Sequence, residues 1–272
     1  QGGKVVITIV YPEGAAEAAG LQVGDVLRSI DGSPVDKATD SSEAGLRMRG
    51  APGTTLRLEV LRGEQTLTFE MVRQERQFVT SRLLPENIAY IALYAYNAAA
   101  AQQMKTHLEN LLAQSPAGLI WDLRNNEGGD MQAAQDILSY FIEDGLLFSA
   151  ELTQGRSVQF MARGQAIAAG LPLVVLMDVT TYSAAETCAA AVAEMGRGTT
   201  VGSPSYGKGL IQATQPLEGG AMLQISMAKW LSHAGEWYHE RGVPPQVTVN
   251  DDPGTLQDEV LQKGLDLLLA DR

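Results

Sequence analysis

The chain carries Leu171-Pro172-Leu173-Val174-Val175-Leu176-Met177-Asp178-Val179-Thr180-Thr181-Tyr182-Ser183-Ala184-Ala185-Glu186, and this stretch decides the fold. Its first seven residues are an apolar run of strand length, which predicts a buried β-strand. The alanine-rich segment that follows Ser183 runs to Gly196 and predicts a helix. Ser183 is therefore expected at a strand-to-helix turn, where the helix dipole and free backbone N–H groups favour chemistry that develops negative charge.

Two interpretations of Ser183 fit this pattern. Ser-x-x-Glu is a capping box, in which Ser183 and Glu186 only start a helix. The alternative is a nucleophile, which needs a base within reach. A lysine with a glycine on either side, Gly207-Lys208-Gly209, follows twenty-five residues after the serine. Although lysines are usually solvated surface charges, this glycine-flanked one lies in an apolar, β-rich context, and we expect Ser183 and Lys208 to meet.

A glycine pair, Gly128-Gly129, follows the apolar segment Ala117–Leu123 and the polar break Arg124-Asn125-Asn126-Glu127. Glycines after a buried strand can present bare N–H groups to a developing oxyanion. Alone, such a pair indicates no more than a turn.

The segment from Gly202 to Lys208 also matches the G-x-x-x-x-G-K pattern of a phosphate-binding loop. That motif requires Ser or Thr next, at the start of a helix. Here Gly209 follows and the next residues predict a strand, so we reject nucleotide binding.

Composition excludes several classes of protein. The 272 residues are 45% hydrophobic and 19% charged, which is typical of a globular chain with one large domain or two. The net charge of −12 argues against a nucleic-acid partner. The single cysteine, Cys188, is expected to be a small buried residue, and none of the three histidines lies in a metal-ligand pattern, so no metal is expected.

The chain is expected to be an α/β protein with a small β-rich domain in front. Residues 1–76 predict strands at Lys4–Val10, Val26–Ile30, Thr55–Leu61 and Gln65–Val72, with short helices at Ala15–Ala19 and Ser41–Met48. Residues 77–87 are expected to be a polar linker. Residues 88–272 alternate strands and helices, with one helix expected at Met131–Ile142, which predicts an α/β layer. The strands of a hairpin follow at Leu210–Leu217 and Ala221–Leu231, joined by a turn at Glu218-Gly219-Gly220, before a last helix at Thr255–Leu269.

The segment Gly14 to Asp25 and the following Val26 to Val35 resemble a PDZ domain of the bacterial protease type. In such domains a first strand and a carboxylate-binding loop precede the residues seen here, so the domain is expected to be truncated in this sequence. The resemblance implies that a peptide pairs with the strand edge at Val6, Ile7, Thr8 and Ile9.

Three motifs extend the resemblance to almost the whole chain: Asp122 to Gly129, Thr181 to Glu186, and Val201 to Gln212. In this order they resemble the C-terminal processing peptidases, or tail-specific proteases, which are serine–lysine enzymes with an embedded PDZ domain. The resemblance implies a crotonase-like α/β core. It also implies Ser183 as nucleophile, Lys208 as general base and Gln212 as the residue that orients the lysine, with Gly129 and Ala184 N–H groups as the oxyanion hole.

The implied activity is hydrolysis of peptide bonds near protein C-termini without any cofactor. Partners would be protein or peptide C-termini, and the place of action would be extracytoplasmic, in a bacterial envelope; any export signal is expected outside this sequence. The oligomeric state stays open. The sequence departs from the family pattern at Glu127, where proline is usual, at Tyr182, where a small residue is usual, and at Gly242 to Gln246, where an acidic ending is usual. A non-catalytic peptide-binding module that keeps the fold remains the alternative.

Overall fold

The computed structural model describes residues 4–11, 14–36, 39, 41–153, 155–216, 222–251, 254–255 and 257–270. The chain divides into two compact units, Gln1–Gln77 and Phe78–Arg272. The turn predicted at Glu218-Gly219-Gly220 lies outside the described residues. Among the helices that the structure describes, none has both the length and the apolar character needed to cross a membrane.

The first unit is a four-stranded antiparallel sheet with two short helices. Its elements are α1 (Ala15–Ala18), β1 (Val26–Ile30), β2 (Ser33–Pro34), α2 (Ser41–Met48), β3 (Thr55–Arg62) and β4 (Gln65–Val72). The strand order is β2-β1-β3-β4. On β3, Leu56, Leu58 and Val60 are buried at alternate positions, as expected for a strand with one face on the core.

The strand predicted at Lys4–Val10 is shorter in the structure. It forms a single bridge, between Val6 and Val26. Ile7 N–H donates to the Asp25 carbonyl at 2.8 Å, and Leu27 N–H donates to the Val5 carbonyl at 2.9 Å. Pairing ends there because β1 begins at Val26 and a turn precedes it, so the residues after Ile7 have no strand beside them on that side.

The second unit is built on a six-stranded sheet of order β14-β11-β10-β7-β6-β5. Its strands are β5 (Val79–Leu84), β6 (Ile88–Leu93), β7 (Gly118–Asp122), β10 (Leu173–Met177), β11 (Thr199–Gly202) and β14 (Val247–Thr248). All neighbouring pairs are parallel except β5 with β6.

The linker predicted at 77–87 is wrong, because Val79–Leu84 forms this antiparallel edge strand. The sequence did not indicate this strand because polar residues interrupt its apolar pattern. Val79 and Thr80 are buried, Ser81 is half-buried and Arg82 is exposed.

Helices cover both faces of this sheet: α3 (Ala98–Leu112), α4 (Met131–Leu138), α5 (Ala184–Glu194) and α6 (Glu259–Ala270). Alternate residues of strand β10 face the helices on opposite sides of the sheet. Val175 and Met177 belong to the core that contains α3, α4 and α5. Val174 and Leu176 face α6, where a Cβ on Gly264 would lie within 3.3 Å of either side chain. The result is a layered α/β fold.

A second, antiparallel sheet of order β12-β13-β8-β9 adjoins this core. Its strands are β8 (Leu146–Leu152), β9 (Ser157–Met161), β12 (Leu210–Pro216) and β13 (Met222–Leu231). The β12–β13 hairpin follows the prediction, whereas the sequence analysis missed the β8–β9 hairpin. Trp230 on β13 is fully buried and belongs to the same core cluster as the helices.

Two helices begin or end away from their predicted residues. Helix α6 begins at Glu259 rather than Thr255, because the Asp258 carboxylate accepts the Leu261 N–H at 2.8 Å and caps the helix. Helix α4 ends at Leu138 rather than Ile142, where the Ser139 hydroxyl donates back to the Gln135 carbonyl at 2.6 Å.

Candidate active site

Ser183 lies between β10 and α5, at the carboxyl end of the parallel sheet. It is the N-cap residue of α5, with φ of 56° and ψ of −115°. A positive φ at a residue with a side chain stores strain of about 1–3 kcal/mol, and such residues cluster at functional sites. The surrounding backbone fixes this turn: Tyr182 N–H donates to the Asn126 carbonyl at 3.1 Å, and Tyr206 N–H donates to the Thr181 carbonyl at 3.0 Å.

The glycine pair lies directly against this turn. A Cβ on Gly128 would be 2.8 Å from the Ser183 Cβ and 3.1 Å from the Ala184 nitrogen. Gly128 N–H donates to the Asn126 side chain at 2.8 Å, and its carbonyl accepts the Tyr96 N–H at 2.8 Å. In the described part of the chain, neither Gly129 N–H nor Ala184 N–H has a protein acceptor. The two N–H groups that the sequence analysis expected to form an oxyanion hole are therefore both without an acceptor among the described residues.

The tripeptide Gly207-Lys208-Gly209 has every backbone polar group hydrogen-bonded. Glu186 accepts the N–H groups of Gly207 and Lys208, at 2.6 and 2.8 Å. The Glu240 N–H donates to the Gly207 carbonyl, and the Trp230 indole donates to the Lys208 carbonyl. The Gly209 carbonyl accepts the Trp237 indole and the Trp230 N–H, and the Gly209 N–H donates to His239 Nδ1. The Cα position of Lys208 is thus fixed from both sides.

Both flanking glycines are required by close packing. A Cβ on Gly207, which has φ of 91°, would approach the backbone nitrogens of Glu240, Arg241 and Gly242 within 3.1 Å. A Cβ on Gly209 would be 2.5 Å from the Trp237 indole nitrogen. The glycine flanks that drew attention to Lys208 in the sequence allow the 237–242 loop to hold its backbone.

Glu186 joins the serine turn to the lysine segment. Its carboxylate is fully buried. One oxygen accepts the N–H groups of Ser183 and Lys208, each at 2.8 Å. The other accepts the Ser205 hydroxyl and the Gly207 N–H, each at 2.6 Å. The capping-box interpretation of Glu186 is therefore incomplete, because the same carboxylate also brings Lys208 to the Ser183 turn.

The Lys208 side chain points at the residue before the serine. Its Nζ lies 4.8 Å from the centre of the Tyr182 ring, over the ring face. Among the described residues, no hydrogen bond joins Lys208 Nζ to Ser183 Oγ or to Gln212. An adjoining cleft has a volume of about 480 Å³. Its walls are formed by Tyr182, Tyr206, Gly207, Lys208, Leu210, Gln212, His239 and Glu240.

An ionic cluster lies at the end of β7, where the chain leaves the sheet toward the glycine pair. Arg124 pairs with Asp122 at 2.7 Å and with Asp258, ahead of α6, at 2.8 Å. Burial and the Asp122 carboxylate raise the pKa of Tyr90, so its hydroxyl stays protonated and donates to Asp122 at 2.8 Å. Among the described residues, no group of three or more His, Cys, Asp or Glu side chains could hold a metal ion.

The proposed peptide edge lies in the first unit and alternates in exposure. Ile7 is 9% exposed and contributes its side chain to the core, while Val6 is 41% exposed. Thr8 is exposed and Ile9 is half-buried. Because Ile7 uses both its N–H and its carbonyl toward the Gly24–Asp25 turn, the backbone groups of Val6 and Thr8 face the other side of the strand.

Sequence reasoning missed the residues that hold the lysine. His239, Trp230 and Trp237 all contact its tripeptide, yet they lie in a strand and an irregular loop with no recognisable motif. Only Glu186 gave a signal, and that signal indicated a helix cap.

The fold and this arrangement of side chains define an α/β protease core in a chain that also contains a PDZ domain. The model of peptidase family S41 matches residues 87–249, and a PDZ domain model matches residues 1–72. The chain therefore belongs to peptidase family S41.

Curated relatives agree with this assignment. Over 244 residues the chain is 36% identical to the carboxyl-terminal-processing protease of Synechocystis sp., covering 86% of this chain and 56% of that protein. It is 28% identical over 256 residues to the carboxy-terminal processing protease CtpB of Bacillus subtilis, covering 91% and 53%. The chain spans about half the length of the curated relatives it matches.

Solved structures agree as well. The photosystem II D1 C-terminal processing protease matches with a TM-score of 0.64 at 28% identity, over 96% of this chain and 72% of that one. A putative S41 protease from Bacteroides fragilis shares the fold, with a TM-score of 0.66 at 17% identity, over 99% and 79%.

Proposed function

We propose that this chain is a serine endopeptidase in which Ser183 is the nucleophile and Lys208 is the general base. One observation carries the proposal: the buried Glu186 carboxylate accepts the backbone N–H groups of both residues. Such a contact gives two residues far apart in sequence a fixed relation at the end of the parallel sheet. The Lys208 Nζ over the ring of the adjacent Tyr182 supports the same conclusion.

The proposed reaction is acyl transfer. Ser183 Oγ attacks the carbonyl carbon of the scissile bond while its proton passes to the Lys208 Nζ. The oxyanion accepts hydrogen bonds from Gly129 N–H and Ala184 N–H, whose loss from such a site typically costs about 10²–10³ in rate. Lys208 then gives the proton to the leaving amine, and water hydrolyses the acyl-enzyme with Lys208 again as base.

The side chain of Lys208 must move for this chemistry. Its Nζ lies on the Tyr182 face. We expect rotation about the side-chain bonds to bring it to Ser183, because hydrogen bonds hold the Lys208 backbone in place. Gln212 lines the same cleft and is proposed to orient the amine once it has turned toward the serine.

Substrates are proposed to be proteins or peptides cut near their C-termini, following the names of the relatives. The PDZ domain, proposed to span residues 1–76, would capture the peptide by strand addition along Val6 to Ile9, since the backbone groups of Val6 and Thr8 face away from the paired strand.

The protease core was expected over residues 88–272. It is proposed to begin at Phe78, because β5 is the edge strand of its sheet, and to be crotonase-like; its largely parallel sheet with helices on both faces supports this. An extracytoplasmic place of action is proposed from relatives that include bacterial and chloroplast proteins.

A fluorophosphonate probe tests the proposal. The full chain should be labelled at Ser183, as located by peptide mass spectrometry, and should cleave an unfolded protein such as β-casein. Ser183→Ala should lose both properties, and Lys208→Ala should lose most of the labelling, while each keeps the thermal unfolding profile of the parent. Lys208→Arg should not restore activity, because guanidinium stays protonated and cannot accept the serine proton.

Two results would contradict the proposal. Equal turnover by Lys208→Arg and the parent would exclude the lysine as base. A folded chain that binds peptides without labelling at Ser183 would be the non-catalytic module.

A further inference from the structure

In the described part of the chain, the amine of Lys208 forms no ion pair with an acidic side chain. No carboxylate in the described part of the chain lies within ion-pairing distance of Nζ, and no hydrogen-bond acceptor does either. The buried Glu186 carboxylate accepts hydrogen bonds from three backbone N–H groups and from the Ser205 hydroxyl. The contact that the amine does make is with the face of the Tyr182 ring, at 4.8 Å.

That ring is itself fixed. Tyr182 packs against Tyr206 in an edge-to-face arrangement, with ring centroids 4.7 Å apart and planes at 64°. Tyr206 is tied to the serine turn through its N–H, which donates to the Thr181 carbonyl. Tyr182 also directly precedes Ser183, whose strained backbone leaves the turn little freedom.

A lysine side chain has four rotatable bonds, and confining its amine is costly in entropy. The backbone of Lys208 is held by hydrogen bonds, and among the described residues the Tyr182 ring face is the group that contacts its amine. An aromatic face attracts an ammonium group electrostatically without binding it through a directional hydrogen bond. Such a contact confines the amine and still leaves it free to turn to an adjacent acceptor.

From this geometry we propose that Tyr182 is a positioning residue for Lys208: its ring is the resting position of the amine, one side-chain rotation from Ser183. The proposal rests on the proposed role of Lys208 as base. It also gives a physical role to a residue that departs from the family pattern, where a small side chain could not provide such a face.

The kinetic test compares Tyr182→Leu with Tyr182→Phe, using cleavage of β-casein-derived peptide substrate by the full chain. Leucine fills similar space without an aromatic face, so kcat should fall about 5-fold to 10-fold while KM changes less than twofold. Phenylalanine keeps the face and should rescue kcat relative to leucine. A change confined to KM would make the ring a wall of the substrate cleft only. An unchanged or increased kcat for Tyr182→Leu would also overturn the proposal.

A spectroscopic test does not depend on activity. With lysine selectively labelled with ¹³C, the Cε protons of Lys208, assigned by their loss in Lys208→Ala, should lie upfield because of the ring current of Tyr182. Tyr182→Leu should abolish that shift, and Tyr182→Phe should keep it. Lys229, whose amine lies 5.6 Å from the Trp237 ring centre, provides an internal control that neither variant should alter.

These outcomes separate the two hypotheses. If Ser183→Ala retained full proteolysis, the proposed function would fail while the ring-current result still described the lysine. If Ser183→Ala were inactive but the Lys208 signal showed no ring-current shift in the parent, the dyad would stand and the role of Tyr182 would be wrong. Tyr206→Ala offers a second variant if Tyr182→Leu does not fold, because loss of the edge-to-face contact should weaken the shift and reduce kcat in the same direction.

Discussion

The Glu186 carboxylate accepts the backbone N–H of Lys208 at 2.8 Å, across a separation of 22 residues. The same carboxylate holds the Ser183 turn, so one buried side chain sets the relation between the two halves of the proposed dyad. A helix cap thereby acquires a second role in the arrangement of the site.

Glu186→Gln should impair both stability and activity. The carboxylate accepts four donors with two oxygens, and the amide must present an NH₂ group to two of them. The Ser205 hydroxyl can rotate to accept from that group, but the Gly207 N–H would be left without an acceptor. A buried unsatisfied N–H costs about 1–3 kcal/mol. We therefore expect the free energy of unfolding, measured in urea, to fall by about 1–3 kcal/mol. We also expect kcat/KM to be at least tenfold lower, because Lys208 shifts.

Glu194→Gln is the matched control, on the same helix. Glu194 accepts the Tyr238 hydroxyl and the Ala234 N–H near the surface, away from Ser183. This variant should keep its kcat/KM. If Glu186→Gln behaved like Glu194→Gln, the buried carboxylate would have no positioning role.

Gly128→Ala should abolish catalysis by occupying the space beside the nucleophile. Its Cβ would lie 2.5 Å from the Tyr182 carbonyl and 2.8 Å from the Ser183 Cβ, where nothing can move without displacing the turn. We expect at least a hundredfold loss of kcat/KM and of fluorophosphonate labelling. Gly196→Ala introduces the same kind of strain at φ of 65° with no atom within 4 Å of the new Cβ. That control should lose some stability and keep its activity, and equal losses in both variants would show that backbone strain alone is responsible.

The sequence predicted the α/β core and the strand-to-helix turn at Ser183, because these depend on local patterns. That Ser183 and Lys208 meet stays a prediction, since the Lys208 amine lies on the Tyr182 ring. Strand β10 is buried throughout and the alanine-rich α5 is buried from Ala184 to Val192, so their composition identifies them. The edge strands were not predicted, because they are partly exposed and their composition does not identify them. Strand β5 is half-exposed and polar, and β9 carries exposed residues on most of its length, so neither has a clear period.

The residues around Lys208 could not be predicted from local patterns at all. Its backbone partners come from a helix, a strand and a loop, and their approach depends on tertiary packing. The peptide-strand prediction had a similar limit. The β-branched run Val5 to Val10 indicated a strand, but whether β1 extended far enough to pair with all of it was decided by the turn before Val26.

Cys188 should be unreactive in the folded chain. Burial raises the pKa of its thiol to about 12, although the nearby Tyr96 hydroxyl lowers it slightly. The thiolate is the reactive form, so iodoacetamide at pH 8 should neither alkylate the native chain nor inhibit it. Alkylation should appear only in urea, over the same range as unfolding of the second unit. Rapid inactivation under native conditions would instead indicate a role for the cysteine.

Acid should weaken the first unit through Asp25. Hydrogen bonds from Arg62 hold the pKa of this buried carboxyl below its usual range, against the opposing effect of burial. A carboxyl with a depressed folded-state pKa stabilises the fold above its unfolded pKa of about 3.9, and this stabilisation is lost as the pH falls toward the folded value. Amide hydrogen exchange of Leu27 should therefore accelerate, relative to its intrinsic rate, below about pH 4. Asp25→Asn should remove most of that pH dependence, and an unchanged dependence would assign it to another group.

Ser183→Gly should make the second unit more stable than Ser183→Ala, although both variants lack the nucleophile. Alanine keeps the strain of a side chain at φ of 56° and ψ of −115°, whereas glycine adopts such angles freely. The difference should be about 1 kcal/mol or more in favour of glycine, after its greater chain entropy in the unfolded state is included. Tryptophan fluorescence in urea measures it, because Trp121, Trp230 and Trp237 all belong to this unit. Ser115→Gly, at φ of 51°, tests the same effect outside the site and should also stabilise. Equal stability of the glycine and alanine variants at residue 183 would mean that the backbone of this turn is not strained.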